Sequence, residues 1–444
     1  PRCFITAAAP SFGTMVPLGN RATSLLGSLV FLGVSALLLA FGYITGFVTM
    51  SLQINAIPIA VGFLEAEFSV LSFGAFILVS AAVFLAGLAR RSNADLAADA
   101  GRVTAVVPVY RDANVLERSV ESLLESDYED LEVLVVCEPD DPRTQDRAAQ
   151  LAKQEGVDYL VNTRAPGSKA GAINYAVEET DGEYVAVFDA DERVDERFVP
   201  AAVAKLQGSD VVQGRTVPEP TGLVESFAYY ESVLLNYVAL RLLYVFTEFR
   251  MAASRAVVLR REALSAVGGY DEGMLTEDFA FAHECYRERL DVTELLAYPS
   301  QIDAAHTVRD WWGQRKRWMT GYAQVLHHLL ASVRPLTDYR NPLSAVIGAA
   351  TVLGSLFMLT VLSKFAVLLV VGANLLFVVP LAAIAGVTYL IHWLDHARGT
   401  VSRPGWPGLL VPLVLPVYSL AAVKAVFEYL FTWTGEWYRV SKEA

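Results

Sequence analysis

The chain divides by where its charges fall. Residues 22–64, 68–89, 341–363, 365–394 and 404–423 contain no Asp, Glu, Lys or Arg, whereas residues 101–340 mix polar and apolar positions throughout. An α-helix needs roughly 20 apolar residues to cross the hydrocarbon of a bilayer. The two N-terminal runs therefore predict a pair of crossings, and the three C-terminal runs predict three more. The first run is too long for one crossing, so part of 51–64 must tilt, re-enter or pack on other protein.

Within the charged region the apolar period switches repeatedly. Strand-like runs at 103–110, 131–138, 157–163, 183–190 and 209–217 are separated by helix-like runs at 114–125, 144–155, 168–180 and 195–206. Strands alternating with helices predict a largely parallel, doubly wound α/β sheet. Ligands of such sheets bind beyond the C-terminal strand ends. Tyr110 and Asp112, Glu138 and Asp140, and Asp189 and Asp191 all fall there. A further aromatic stretch, 221–246, has a nearly helical pattern that suits either an interface helix or a buried one.

Hydrophobic residues make up 54% of the chain, too many for an ordinary soluble enzyme. Arg21, Arg90 and Arg91 flank the first two runs while Glu65 and Glu67 lie between them, so the positive-inside rule puts the N-terminus and the charged region in the cytoplasm. Arg334 and Arg340 agree, and the expected location is a multi-pass integral membrane protein. Parity sends the tail outside, unless the last segment re-enters. A net charge of -13 excludes a nucleic-acid face. Cys3, Cys137 and Cys285 have neither disulfide-framework nor zinc spacing, which fits a reducing compartment. Residues 1–14 lack a signal-peptide pattern and read as an extension before Met15. No Gly-x-Gly-x-x-Gly follows the first strand, and Gly167-Ser168-Lys169 lacks the earlier glycine of a P-loop, so neither a dinucleotide oxidoreductase nor an NTPase is indicated.

Asp189 and Asp191, spaced i, i+2 at a strand end, can present oxygens to one divalent ion, and Mg²⁺ completes its shell with phosphate and water. A helix cap or a solvated loop is the plainer account of the same pair. Lys169 opens an Ala-rich helix where free N–H groups and a point charge favour a phosphate, or it is a surface lysine. Gln314, Arg317 and Trp318 share one helix face at i, i+3 and i+4. Arg317 offers a fork for diphosphate oxygens and Trp318 a flat surface for a sugar ring. Trp311, Trp312, Trp318 and Tyr322 among cations also describe a membrane-surface helix.

Val107-Pro108-Val109-Tyr110, Lys169-Ala170-Gly171-Ala172-Ile173-Asn174, Asp189-Ala190-Asp191, Thr276-Glu277-Asp278 and Gln314-x-x-Arg317-Trp318, in that order, resemble the motifs of family-2 inverting glycosyltransferases. The likeness is to their membrane-integrated branch, which includes cellulose, chitin and hyaluronan synthases and some glycolipid synthases. It implies a GT-A (Rossmann-like) domain inserted between transmembrane helices, with amphipathic interface helices. Pro108, Tyr110 and Glu138 would surround the nucleotide base and ribose, Lys169 and Asp189 the diphosphate, and Asp191, with Asp189, a Mg or Mn ion. Asp278, flanked by Glu277 and Thr276, would be the general base, and Gln314, Arg317 and Trp318 would serve acceptor and diphosphate. Glu138 stands where the family usually has Asp, and Ala252-Ala253-Ser254 where it often has Gly-Ser or Gly-Thr. Trp437, Tyr438 and Arg439 match an aromatic-basic ending of some relatives.

The domain plan that follows is a 1–20 N-terminal extension, a 21–91 transmembrane hairpin, a 101–304 GT-A catalytic domain, a 305–340 interface-helix region, a 341–432 C-terminal transmembrane region and a 433–444 tail. The implied partners are a UDP-sugar donor, a polysaccharide or lipid acceptor and the bilayer. Gln-x-x-Arg-Trp favours a growing polysaccharide, with single transfer to a membrane lipid as the alternative. A transporter or scaffold with a degenerate nucleotide domain is a separate class, disfavoured because only Lys364 and Lys424 bring charge near mid-span.

Overall fold

The computed structural model describes residues 57–90, 95–97, 100–332, 334–335, 337–370 and 378–433. The expected extension at 1–20, most of the first N-terminal run and the tail from 434 onward lie outside them.

Seven strands form one sheet in the order β3-β2-β1-β4-β6-β5-β7. They are β1 (Val103–Val109), β2 (Leu131–Cys137), β3 (Val157–Val161), β4 (Tyr184–Val187), β5 (Val211–Pro218), β6 (Val257–Arg260) and β7 (Val292–Ile302). β1 pairs in parallel with β2 and β4, and β5 with β7. The sheet is mixed rather than uniformly parallel, because β6 runs antiparallel to both β4 and β5. Sequence pattern predicts β1 to β5; β6 and β7 come from the structure. β6 is four residues that run straight into a helix, too short to display alternation. β7 contains Pro299, a residue that argues against a sheet position.

Helices α2 (Leu116–Leu124), α3 (Pro142–Leu151), α4 (Lys169–Glu178) and α5 (Phe198–Leu206) follow the first four strands, numbered after α1 (Ile57–Arg90). Asp141 caps α3 by accepting from the Thr144 N–H, with Pro142 at the first helical position. α3 stops at Leu151, short of the expected 155, because the chain turns at Gly156 with φ 81°. β1 reads as an unbroken apolar run because both faces are covered. Val103, Ala105, Val107 and Val109 enter one core with α2 and α5, and Val106 enters the other with Ala170 and Ile173 of α4.

The aromatic stretch at 221–246 becomes α6 (Leu223–Ser232), a π-helical segment (Val233–Ala239) and α7 (Leu240–Thr247). It is buried at Tyr229 and Tyr230 and exposed at Val245 and Phe246. α8 (Arg261–Val267), α9 (Glu277–Arg287) and α10 (Val308–Ala331) complete the charged region. Beyond it, α11 (Arg340–Val370) and α12 (Val378–Ala397) cover the first two of the uncharged C-terminal runs. The third splits. A 3₁₀ segment, Trp406–Leu413, holds Pro407 and Pro412, and α13 (Val414–Thr432) begins only after them. Among the described residues, α13 is the helix long and apolar enough to cross a membrane. A third core joins Phe84 of α1, Tyr229 and Tyr230 of α6, Leu296 of β7 and Ile391 of α12, tying sheet and helices together.

His283 of α9 is fully buried, with Nδ1 2.7 Å from the Ser344 hydroxyl and its ring against Phe249 and Phe279. Burial, aided by Arg287, pushes its pKa down to about 3. An unfolded histidine titrates near 6.5, at about pH 6.5 the unfolded chain begins to take a proton the folded chain refuses, and stability falls as pH drops toward 3. The slope from this group is about 1.4 kcal/mol per pH unit. His283→Gln should therefore show a shallower fall of Tm with acidification below pH 6.5 than wild type; parallel slopes would mean the buried ring accepts the proton.

Candidate active site

A cleft of about 790 Å³ opens at the C-terminal ends of β1, β2 and β4. The twelve residues given roles toward nucleotide, metal, base and acceptor all line it. Pro108 and Tyr110 come from the end of β1, Glu138 from the end of β2, Lys169 from the start of α4, and Asp189 and Asp191 from the turn after β4. Thr276, Glu277 and Asp278 stand at the start of α9, and Gln314, Arg317 and Trp318 on α10.

The acidic turn is held from several sides. Ser119 donates to the Asp189 carbonyl (3.1 Å), and Arg118 donates to the Asp191 carbonyl (3.1 Å) while pairing with Asp303 (2.7 Å). Glu192, fully buried, accepts from the Asp189 N–H (3.0 Å). Burial and then the nearby Asp189 push the Glu192 carboxyl up to about 8. Lys169 Nζ lies 2.6 Å from Asp189 Oδ1 and donates to the Ser254 carbonyl at 2.8 Å. Its helix starts cleanly because Ser168 Oγ accepts from the Gly171 N–H. Glu138 has both oxygens engaged by protein, Oε1 by Asn162 (3.0 Å) and Oε2 by the Gly167 N–H (2.6 Å), so it fixes the loop that delivers Lys169. Tyr110 donates to Asp140 at 3.1 Å at the cleft rim.

On α9 the cap position belongs to Thr276, which leaves Asp278 inside the first turn, half-buried, with Oδ1 accepting from the Phe279 N–H at 2.7 Å. Glu277 is buried and accepts from the Ser254 hydroxyl at 2.8 Å. Burial, then Asp278 beside it, raises its carboxyl above the usual range. α10 can bring its motif this close because Gly321 has no side chain: a Cβ there would meet Thr276 Cγ2 at 2.4 Å. Burial lowers the Arg317 guanidinium, while Glu277, Asp278 and Asp189 pull the other way, which puts all four within one electrostatic neighbourhood.

Three further residues complete the site without having been singled out. Arg255 lines the cleft with Nη1 3.9 Å from Asp189 Oδ2. Glu231 of α6, buried, accepts from Arg315 Nε at 2.9 Å and from Trp311 Nε1 at 2.8 Å. Arg315 in turn sits over Trp318, 4.8 Å from its ring centroid, and bonds the Gln314 side chain. Glu231 thus anchors α10 at Trp311 and Arg315, and through Arg315 it reaches Gln314 and Trp318. Its sequence signal was a lone carboxylate inside the apolar stretch at 227–235, since a charge buried there needs a partner.

A metal ion is compatible with this donor set. Among the described residues no group of three or more His, Cys, Asp or Glu could hold one alone. With Asp189 paired to Lys169, Asp191 is the carboxylate of the pair that would be left for a divalent ion, and such an ion accepts so few protein oxygens when diphosphate and water supply the rest.

Residues 104–268 match the model of Glycosyl transferase family 2, so the chain carries a domain of that family. The probable glycosyltransferase YdaM of Bacillus subtilis (strain 168) is 22% identical over 52% of this chain and 57% of its own length, so the match spans little more than half of that relative. A beta-monoglucosyldiacylglycerol synthase of Nostoc sp. is 24% identical over 68% of this chain and 73% of its own. The solved mannosyltransferase from Pyrobaculum calidifontis, in complex with GDP-Man and Mn²⁺, has a TM-score of 0.51 at 17% identity, covering 81% of this chain and 99% of its own. That likeness shows the fold: GT-A-like, α/β, with a mixed sheet.

Proposed function

We propose that this chain is an inverting glycosyltransferase that moves a sugar from a nucleotide diphosphate donor, a UDP-sugar, to the hydroxyl of a membrane-held acceptor. The observation that carries the reading is the sharing of one cleft by Asp189, Asp191, Asp278, Arg317 and Trp318. A sugar hydroxyl or glycerol hydroxyl is a poor nucleophile, so a carboxylate must take its proton as it attacks. Asp278 is assigned that step. The acceptor oxygen bonds to the anomeric carbon from the face opposite the leaving group, the bond from that carbon to the diphosphate oxygen breaks, and the electron pair leaves with the nucleotide. Lys169, Arg255 and Arg317 stabilise the charge that develops there. A divalent ion at Asp191 would add Lewis-acid neutralisation of the diphosphate when bound. Trp318, fixed by Arg315, provides the apolar plane for the sugar face.

For the acceptor, a lipid is favoured over a growing polysaccharide. Support comes from the likeness to a glucosyldiacylglycerol synthase along most of that relative's length. α11 to α13 are proposed to seat the cleft at the bilayer, with Val245 and Phe246 of α7 (55% and 79% exposed) reaching toward lipid. The purified chain, given radiolabelled UDP-glucose, Mg²⁺ or Mn²⁺ and diacylglycerol vesicles, is expected to yield a single glycolipid. A ladder of products would transfer the reading to polymer synthesis. Absence of transfer and of donor hydrolysis across a panel of UDP- and GDP-sugars would refute the enzyme.

A further inference from the structure

We propose that a second pocket, separate from the cleft, binds a phosphoryl anion. It has a volume of about 300 Å³ and shares no lining residue with the cleft. Arg250, Arg289 and Arg340 line it together with the carboxylates Glu248 and Asp291, and Asp338 beside it pairs with Arg289, so the arginine left without a carboxylate decides what the pocket can hold.

Arg250 is the distinctive member. Its guanidinium stacks 3.9 Å from the Tyr244 ring centroid and donates through Nη1 to the Val292 carbonyl at 2.7 Å. Its Nε is buried with no hydrogen-bond partner, and no carboxylate pairs with it among the described residues. A guanidinium held flat on an aromatic ring, lining a pocket and paired with no carboxylate, is arranged for an anion. Arg340 is shaped the same way, over the Tyr286 ring at 5.0 Å, with Nη2 3.2 Å from Glu248. Glu248 is the more exposed partner, its side chain 67% accessible, and that pairing is weak enough to yield to phosphate. Arg289 keeps Asp338 at 3.0 Å. Planar guanidinium forks match phosphate oxygens two by two, and the small volume suits a phosphate with little attached to it.

Two sources supply that chemistry: the phosphodiester of a phospholipid head group, or a soluble phosphate ester. Arg340 opens α11, and Phe246 protrudes two residues before Glu248, so a head group could reach the pocket from a bilayer. The inference does not depend on the transferase reading, because no residue of the donor site takes part.

The full chain in a neutral detergent is titrated separately with short-chain phosphatidylglycerol and with inorganic phosphate, and UDP binding is measured alongside. Wild type is expected to bind at least one probe saturably. Arg250→Gln should weaken that binding tenfold or more while leaving UDP binding unchanged, and Lys169→Gln should do the reverse. The probe that saturates identifies the source. Equal binding by wild type and Arg250→Gln, loss of probe binding only in Lys169→Gln, or binding of neither probe would overturn the site.

Discussion

Replacing Asp278 with asparagine is expected to lower transfer by about 10²- to 10⁴-fold, roughly 3 to 5 kcal/mol of barrier, with donor affinity close to wild type. Asparagine keeps the shape and can still accept from the Phe279 N–H, but it cannot take a proton from the acceptor hydroxyl. Its neighbour is the natural competitor for the role, since both line the cleft. Glu277 is buried and its carboxylate accepts from the Ser254 hydroxyl, so less of it is open to an incoming acceptor. Asp278 is the half-buried member of the two. Initial rates with saturating donor and calorimetric UDP titration decide the matter. Turnover within a few fold of wild type would remove Asp278 from the chemistry. A parallel loss of UDP binding would give it a binding role instead.

The motifs were legible because each has a local signature, at the end or start of an element or on one face of it. Asp189 and Asp191 follow β4, Asp278 opens α9, and Gln314 with Arg317 and Trp318 repeats on one face of α10. Local pattern therefore carried both the parallel half of the sheet and the identity of the cleft residues. Two kinds of information were not local. The reversal at β6 depends on a four-residue strand whose partners, β4 and β5, lie on either side of it in space but both before it in sequence. Glu231 acts across more than eighty residues on Arg315, and no period or spacing links them. Glu138 shows the converse limit. Its place at a strand end correctly put it in the cleft, yet only coordinates reveal that its oxygens are spent on Asn162 and Gly167.

The largest stability effect is expected at Asp395. Arg215 of β5 and Asp395 of α12 form a two-point pair, Nη1 to Oδ1 at 2.7 Å and Nη2 to Oδ2 at 2.5 Å, with side chains 2% and 0% exposed. The Tyr229 hydroxyl donates to Oδ2 at 2.7 Å, and Phe84 and Tyr237 flank the guanidinium. Asp395→Asn leaves a buried cation without its counter-charge, which costs about 3–5 kcal/mol. The pair itself need not contribute that much, since withdrawing two charges from water offsets most of their attraction. An Arg215→Met, Asp395→Leu double variant should thus recover most of the lost Tm. A double variant no more stable than Asp395→Asn alone would show that these charges stabilise the joint between sheet and α12 beyond their own desolvation. Activity offers a second reading of the same joint. Tyr237 lines the cleft and is held by Thr216, accepting from its N–H at 2.9 Å and donating to its carbonyl at 3.0 Å. A shift of Arg215 would move that wall, so Asp395→Asn should raise the acceptor KM at temperatures where the fold is still intact.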